Sequence, residues 1–126
     1  MCGGAGTDIV SVARIENLMR ERGAGFVERW FTTGEIEYCN GKAVPSRHFA
    51  ARFAAKEAVV KALPSRWEGP LPWRSIEIVN DSGGAPSVRL SGAILEVATQ
   101  AGVGDIRVSL SHCDEYATAI AVLTTT

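Results

Sequence analysis

An α+β fold is predicted, in which helices mainly from the N-terminal half pack on an antiparallel sheet. Two observations support this prediction. Before residue 63, apolar residues recur at helical spacing in several segments that are rich in helix formers. After residue 75, short segments rich in β-branched residues are separated by turn sequences. Because no repeat, low-complexity tract or linker interrupts the sequence, residues 1–126 are expected to form one domain.

The first predicted elements are a short strand and a helix. Residues 5–10 are expected to form a strand or extended segment that leads Asp8 into the start of the helix, which Asp8 could cap. Apolar residues recur at helical spacing from Ile9 to Met19, and Gly23 is a natural end point. The polar side of this helix carries three arginines, which form either a solvated face or a docking surface for an acidic partner: Arg14, Arg20 and Arg22.

Three further helices are predicted before residue 64. A short one covers residues 26–31, where aromatic side chains supply bulk for a core. Thr32 and Glu35 fit a capping box, in which each side chain bonds to the backbone of the other, and they indicate the start of the next helix. The longest helix covers residues 46–63 and stops at Pro64, which cannot continue it.

The C-terminal half is predicted to contain four strands and one helix. The strands cover residues 75–80, 87–90, 106–112 and 116–123, and the helix runs from Ser91 or Gly92 to Gly102. His112 ends the apolar alternation of the third of these strands. It is either a hydrogen-bonded core histidine or an imidazole beside a phosphate.

Composition excludes several classes of function. A hydrophobic content of 46% with 21% charged residues is typical of a soluble globular protein. The net charge of -1 argues against nucleic-acid binding, and no apolar run is long enough to span a membrane. Three widely spaced cysteines fit reduced thiols in a cytoplasmic protein: Cys2, Cys39 and Cys113. Cys2 could be a nucleophile if Met1 were removed, but the further motifs of such enzymes are missing.

The longest helix carries the residues whose placement is most informative. Glu57 and Lys61 are one turn apart beside small residues, so a carboxylate and an amine project together where a bulky ligand can approach. Taken alone, they would be an ordinary surface ion pair. Lys56 points close to the apolar stripe and must reach solvent, pair with an acid or meet an anion. Arg52 lies one turn earlier, so the two cations repel each other unless they share a negative group.

Four segments of the sequence resemble holo-acyl-carrier-protein synthase, the small class of 4'-phosphopantetheinyl transferases. They are GTDIV at residues 6–10, RFAAKEAVVKAL at 52–63, Gly84-Ala85-Pro86, and SLSHCDEYA at 109–117. They occur in the order of the family from residue 6 to about residue 122. The pattern F-x-x-K-E-x-x-x-K is specific when it is paired with an upstream G-x-D, as it is here.

The resemblance implies transfer of the 4'-phosphopantetheine arm of coenzyme A to a serine of an apo acyl carrier protein. Adenosine 3',5'-bisphosphate is then released. Attack on the β-phosphorus builds negative charge on the diphosphate oxygens, which Mg²⁺ can neutralise. Two alternatives of the same fold stay open: a non-catalytic protein that binds coenzyme A or a nucleotide, and a module that only binds carrier proteins.

The resemblance also implies roles for individual residues. Asp8 and Glu57, expected on two different helices, would be the ligands of Mg²⁺. Glu57 and Lys61 would be the catalytic residues, with Lys61 on the α-phosphate side of the leaving group. Three acceptors stay open for the serine proton: Glu57, a metal-bound water, or a group on the carrier protein.

Coenzyme A is expected to contact a second set of residues. Arg52 and His112, with Lys42 or Arg47 as further candidates, would bind its 3'-phosphate, and the turn at Gly84 and Pro86 would lie near its adenine and ribose. Two departures from the family bear on coenzyme affinity. Ala85 stands where the family often has lysine, and Cys113 stands where another residue is usual.

The family is a homotrimer whose sites lie at subunit interfaces, so the same assembly is expected here. Asp8 and Glu57 could come from one subunit and His112 or Pro86 from its neighbour. Arg14 resembles the contact of the family to the acidic recognition helix of carrier proteins, and Arg20 and Arg22 could extend that patch. The sequence does not decide between carriers of fatty-acid, polyketide and peptide synthesis.

Overall fold

The computed structural model describes residues 2–64 and 67–126, with the side chain of Cys2 left aside. The elements follow the predicted order, and a single turn of 3-10 helix at Trp73–Ser75 is added before the first strand of the C-terminal half. The helices are α1 Val12–Arg22, α2 Ala24–Trp30, α3 Thr33–Asn40, α4 Pro45–Ala62 and α5 Gly92–Gln100. The strands are β1 Cys2–Ser11, β2 Ile76–Asn80, β3 Pro86–Leu90, β4 Val103–His112 and β5 Tyr116–Thr125. The idea of a nucleophilic Cys2 depends on Met1 and on the Cys2 side chain, which lie outside the described part.

The main sheet joins the two ends of the chain. Its three antiparallel strands lie in the order β1-β5-β4, and β2 and β3 form a separate hairpin. Strand β1 pairs with β5 from Cys2 to Ser11, with Asp8 opposite Ala119. The predicted α+β fold is therefore confirmed, but the sheet is not confined to the C-terminal half.

The prediction that Asp8 caps or belongs to the first helix is wrong. Asp8 lies within β1, and the helix cap is Ser11, whose side chain accepts a hydrogen bond from the Arg14 backbone N–H at 3.2 Å. The physical reason is pairing with a distant strand. Glycine-rich residues such as those that begin β1 have little intrinsic preference for strands, but β5 pairs with the segment from Gly4 to Ser11, beyond an irregularity between Cys2 and Gly4.

Helix α4 is the central element of the fold. Most of its residues are buried, so the apolar surface is wider than the single stripe that the sequence suggested. Small side chains allow this close packing, because Ala50, Ala54 and Ala58 have no measurable exposure. The helix begins with Pro45, which is favoured in the first turn, and ends before Leu63.

Local signals gave the remaining boundaries to within a few residues. The capping box at α3 is confirmed, because Thr32 accepts from the Glu35 backbone N–H and Glu35 accepts from that of Thr32. Cys39 and Cys113 are free cysteines, as expected. None of the helices in the described ranges is both long and apolar enough to cross a bilayer.

Candidate active site

The close approach of β1 to α4 brings Asp8 and Lys61 together. The Lys61 ammonium lies 2.9 Å from Asp8 Oδ1 and donates to the Thr7 carbonyl at 3.2 Å. Gly6 makes this approach possible, because a Cβ added there would lie 2.1 Å from the Ala58 carbonyl oxygen. The spacing of glycine and aspartate in the G-x-D motif thus has a physical meaning: Gly6 lets the strand touch the helix, and Asp8 then faces its last turns.

Glu57 completes this group of charged side chains, which we call the acidic site (Asp8, Glu57 and Lys61). Burial raises the pKa of Glu57, and the Asp8 carboxylate raises it further, whereas Lys61 and Arg14 lower it. The pKa of Lys61 is raised by its hydrogen bond to Asp8. The prediction that Asp8 and Glu57 come from two helices is therefore corrected: one comes from a strand and one from a helix, and they repel each other across the gap.

The acidic site fits a magnesium ion that shares its coordination with a substrate. Among residues 2–64 and 67–126, no three His, Cys, Asp or Glu side chains come together as a complete protein site for a metal. Mg²⁺ does not require one, because it commonly takes one or two carboxylates together with phosphate oxygens and water. Two mutually repelling carboxylates, Asp8 and Glu57, are the donor set that such an ion would stabilise.

A second group of charged side chains lies at the other end of α4. The rings of His48 and His112 are 4.9 Å apart between centroids. The pKa of His48 is lowered by burial and then by four positively charged or ionisable neighbours: His112, Lys42, Arg52 and Arg47. We call these five residues the cationic cluster. It brings together the four residues predicted to contact the 3'-phosphate of the coenzyme.

His48 is the member of the cationic cluster that was not predicted from the sequence. It precedes Arg52 by four residues on α4, so helical spacing alone places both on one face. Its proximity to His112 depends on the packing of β4 beside α4 and has no local signal. Arg47 already has an acidic partner, because its guanidinium pairs with Asp114 at 2.7 Å.

Arg52 lies in the wall of a cavity and is only 3% exposed. Its Nη2 donates to Asn80 Oδ1 at 2.5 Å, and its guanidinium carbon lies 4.0 Å from the centroid of the Tyr38 ring. Within the described residues its Nε has no hydrogen-bond acceptor, although Glu35 Oε2 lies 3.9 Å away. The cavity measures about 190 Å³ and is also lined by Glu77 and Arg89.

The turn at Gly84 is connected to Arg52 through Asn80. The Asn80 side chain accepts from Arg52 and donates to the Gly84 carbonyl at 2.9 Å. Gly84 has a φ of 88°, which favours glycine, and an added Cβ would meet no described atom within 4 Å. Pro86 starts β3 directly after this turn. The structure therefore joins the predicted coenzyme residues Arg52, Gly84 and Pro86 in one region.

The three arginines of α1 have different surroundings. Arg14 is exposed at the edge of the acidic site, with its guanidinium carbon 6.0 Å from the centroid of the Phe53 ring. Arg20 is engaged locally, because it pairs with Glu16 at 3.3 Å and bonds to Asn17. Arg22 lies farther along the helix in a groove of about 250 Å³, which also contains Phe26, Arg29 and Trp30.

Comparison with known proteins reveals similarity over nearly the whole chain. Residues 4–121 match the family model of the 4'-phosphopantetheinyl transferase superfamily. Holo-acyl-carrier-protein synthase of Geobacter sulfurreducens is 44% identical over 120 residues, which are 95% of each protein. The protein of the same name from Ruminiclostridium cellulolyticum is 48% identical over 119 residues, covering 94% of this chain and 89% of the relative.

Solved structures give the same result. The crystal structure of holo-acyl-carrier-protein synthase from Neisseria meningitidis has a TM-score of 0.89 at 32% identity, covering 99% of this chain and 100% of that one. The Helicobacter pylori protein of the same name, in complex with coenzyme A, has a TM-score of 0.82 at 33% identity, covering 95% and 99%. The chain is thus similar to these proteins in both sequence and fold.

Proposed function

Because the chain belongs to the 4'-phosphopantetheinyl transferase superfamily, we propose that it acts as a holo-acyl-carrier-protein synthase. It transfers the 4'-phosphopantetheine arm of coenzyme A to a serine of an apo acyl carrier protein. The serine hydroxyl gives up its proton to a base and its oxygen forms a bond to the β-phosphorus, the bond from that phosphorus to the bridging oxygen breaks, and adenosine 3',5'-bisphosphate leaves. The observation that supports this most is the meeting of Asp8, Glu57 and Lys61 between β1 and α4.

The acidic site supplies the residues for this step. Asp8 and Glu57 would hold Mg²⁺, which when bound neutralises charge on the diphosphate. Lys61 is half-exposed beside them and can turn its ammonium to the α-phosphate of the leaving group. A cation fixed at that position stabilises the negative charge that develops as the bridging bond breaks.

The cationic cluster is proposed to bind the 3'-phosphate of coenzyme A. His48 and Lys61 lie at opposite ends of α4, about 20 Å apart along the axis at ~1.5 Å per residue. The 3'-phosphate and the diphosphate of coenzyme A are attached to one ribose and are too close together to bridge that distance, so one coenzyme would use the acidic site of one subunit and the cationic cluster of its neighbour. The mutual repulsion of Lys42, Arg52 and the two histidines is relieved by such an anion.

A homotrimer with sites at its subunit interfaces is part of this proposal. The face of the main sheet turned away from α4 leaves three large apolar side chains exposed: Ile9 at 64%, Tyr116 at 49% and Ile120 at 46%. The pairing register places them on one surface, because Ile9 faces Thr118 and residues 116, 118 and 120 alternate with buried alanines. Exposed apolar side chains that share one surface support burial against another copy of the chain.

Arg14 is proposed to contact the acidic helix of the carrier protein. Its position beside the acidic site would deliver the serine to the diphosphate. Arg20 and Arg22 are proposed to extend that contact, although Arg20 must first leave Glu16. A cytoplasmic location also belongs to the proposal and rests on the free cysteines Cys39 and Cys113.

One assay tests the proposed reaction. The purified protein is incubated with coenzyme A, MgCl₂ and an apo acyl carrier protein, and the carrier is weighed intact by mass spectrometry. A gain equal to one phosphopantetheine group is expected. Coenzyme binding without this gain would indicate a non-catalytic binding protein, and binding of the carrier alone would indicate an interaction module. Repeating the assay with carriers of fatty-acid, polyketide and peptide synthesis would identify the substrate.

A further inference from the structure

The acidic site contains a cation supplied by the chain itself. The Lys61 ammonium donates to Asp8 Oδ1 at 2.9 Å and to the Thr7 carbonyl at 3.2 Å. A metal ion held by Asp8 would need Oδ1. This oxygen already accepts a hydrogen bond from Lys61, so the ammonium and a metal ion cannot both be bound there. The two contacts together place the ammonium where the strand and the helix meet.

The lysine can leave this position more easily than the aspartate can. The Lys61 side chain is 53% exposed, whereas that of Asp8 is 13% exposed. A lysine amine is carried on a flexible four-carbon stem, so an exposed one changes partner at little cost. Asp8 is held in the middle of a paired strand and stays in place.

We propose that Lys61 is the counter-ion of Asp8 in the coenzyme-free protein and that Mg²⁺ competes with it for Asp8 Oδ1. This inference rests on the proposed function. The diphosphate of coenzyme A gives the Lys61 ammonium another anion, and its movement frees Asp8 for the metal. Metal and coenzyme therefore bind interdependently, and Lys61 controls how strongly each favours the other.

The charges of the acidic site set the direction of the effect. With Lys61 in place, two carboxylates and one ammonium face an incoming cation, whereas without it the nearby cation of Asp8 and Glu57 is Arg14 at the edge of the site. Removing the lysine also removes a competitor from Asp8. A partly exposed ion pair contributes little, so we expect metal affinity without coenzyme to rise by about two- to fivefold when Lys61 loses its charge.

The first experiment titrates MgCl₂ alone into the coenzyme-free protein and measures heat. Lys61→Met should bind the metal about two- to fivefold more tightly than the wild type. Arg107→Met is the matched control, because it removes an exposed cation that pairs with Asp105 at 3.2 Å and lies on β4. Its metal affinity should equal that of the wild type. Equal affinities of Lys61→Met and the wild type, or no metal binding by either, would overturn the proposal.

The second experiment repeats the titration with saturating coenzyme A. The coenzyme should raise the metal affinity of the wild type by a larger factor than that of Lys61→Met, because only the wild type has a lysine to displace. An equal factor in both proteins would contradict the exchange. Lys61→Gln tests the same charge loss with a polar side chain, and thermal unfolding of each variant checks its fold.

The outcome can be separated from that of the proposed function. Transfer by the wild type is measured independently by the intact mass of the carrier protein. Transfer without any effect of Lys61→Met on metal binding would reject the exchange and leave the function. Tighter metal binding by Lys61→Met in a protein that transfers nothing would support the competition at Asp8 and reject the proposed reaction.

Discussion

Lys56 and Glu35 form an ion pair inside the protein, with Nζ 2.7 Å from Oε1 and neither side chain exposed. Lys56 also donates to the Trp73 carbonyl at 2.9 Å, and Glu35 accepts from the backbone N–H groups of Thr32 and Ile78. One buried carboxylate therefore ties α3, α4 and β2 together. The lysine of the family motif has a structural partner, whereas the next residue along α4 faces the acidic site.

Replacing Lys56 with methionine should destabilise the protein strongly. Burial already lowers the pKa of Lys56, and Glu35 is what stabilises its charged form. Without the lysine, the Glu35 carboxylate is buried without a full counter-charge, and the loss of unfolding free energy should be about 3–5 kcal/mol. Urea unfolding measures it. Lys42→Met, an exposed control, should change stability by less than about 0.5 kcal/mol.

The double variant Lys56→Met with Glu35→Gln separates charge from packing. Glutamine carries no charge, and its single oxygen can keep only one of the two backbone bonds, because Thr32 donates to Oε1 of Glu35 and Ile78 donates to Oε2. We expect the double variant to be more stable than the sum of the single effects predicts. If the two effects were additive, the ion pair would not be the source of the loss.

Gly6→Ala should separate β1 from α4. The added Cβ would lie 2.1 Å from the Ala58 carbonyl oxygen and 2.8 Å from the Ala62 nitrogen, and backbone atoms cannot turn away as a side chain can. We expect a loss of about 2–4 kcal/mol, at or above the usual range for overpacking, and slower transfer because Asp8 moves with the strand. Denaturant unfolding and the intact-mass assay measure these two effects.

Gly25→Ala provides the control for that variant. An added Cβ at Gly25 would have no described atom within 4 Å, and the residue lies in α2. Alanine favours a helix over glycine by up to about 1 kcal/mol, so stability should be equal or higher. A Gly6→Ala protein as stable and active as Gly25→Ala would disprove the role given to the close approach.

The sequence predicted those features whose cause is local. The capping box of Thr32 and Glu35 and the end of α4 before Pro64 depend on neighbouring residues, so both were found. The full extent of β1 was not predicted, because it depends on pairing with β5 at the other end of the chain. The helix pattern predicts that Lys56 reaches solvent, pairs with an acid or meets an anion, but it does not identify Glu35, which already has a local explanation as a cap. The ion pair of Glu35 with Lys56 follows from packing alone.

The residues of the candidate site were predicted from the resemblance to a family, whereas their positions relative to one another follow from the fold. Nothing local in the sequence indicates that Asp8 reaches α4, because that contact depends on Gly6 fitting against Ala58. His48 was missed for a related reason, since its neighbour His112 lies in a strand at the far end of the chain. Helical spacing identified one face of α4 but not what packs against it.

Asp8→Asn and Glu57→Gln should nearly abolish transfer while the fold is kept. Each change keeps the shape of the side chain and removes one charge from the acidic site. A loss of about 100-fold or more in kcat/KM is expected, as for other groups that stabilise charge in a transition state. Asp105→Asn, an exposed acid far from the site in β4, is the control and should be fully active. Near-normal turnover of both site variants at limiting MgCl₂ would reject the metal assignment.

Coenzyme affinity should rise as the pH falls from about 8 to about 6, through His48. In the free protein the pKa of His48 is lowered by burial and by its cationic neighbours, so the neutral form persists where an ordinary histidine would become protonated. A bound phosphate stabilises the imidazolium, and binding therefore takes up a proton. The folding stability of the free protein has the opposite pH dependence to coenzyme affinity. The contribution of His48 to stability is present above the ordinary histidine pKa and is lost as the pH falls through its lowered pKa.

Calorimetry at several pH values checks this prediction. Dephospho-coenzyme A lacks the 3'-phosphate and should show a weaker pH dependence than coenzyme A. His48→Gln should reduce the dependence for coenzyme A, which distinguishes the histidine from titration of the phosphate itself. The same slope in the wild type and in His48→Gln would exclude this residue from the phosphate site.

Arg14→Glu should weaken recognition of the carrier protein more than catalysis. Arg14 is exposed beside the acidic site, so reversing its charge replaces attraction to an acidic helix with repulsion. In this variant the KM for the apo carrier should rise about tenfold or more, and the KM for coenzyme A should change little. In the wild type the KM for the carrier should rise with salt, because exposed charges are screened. Steady-state kinetics with intact-mass detection measures all three.

Arg107→Glu makes the same change of charge on β4 and should keep the wild-type KM. If Arg107→Glu raised the KM as much as Arg14→Glu, the effect would reflect net charge, and the docking contact of Arg14 would be rejected.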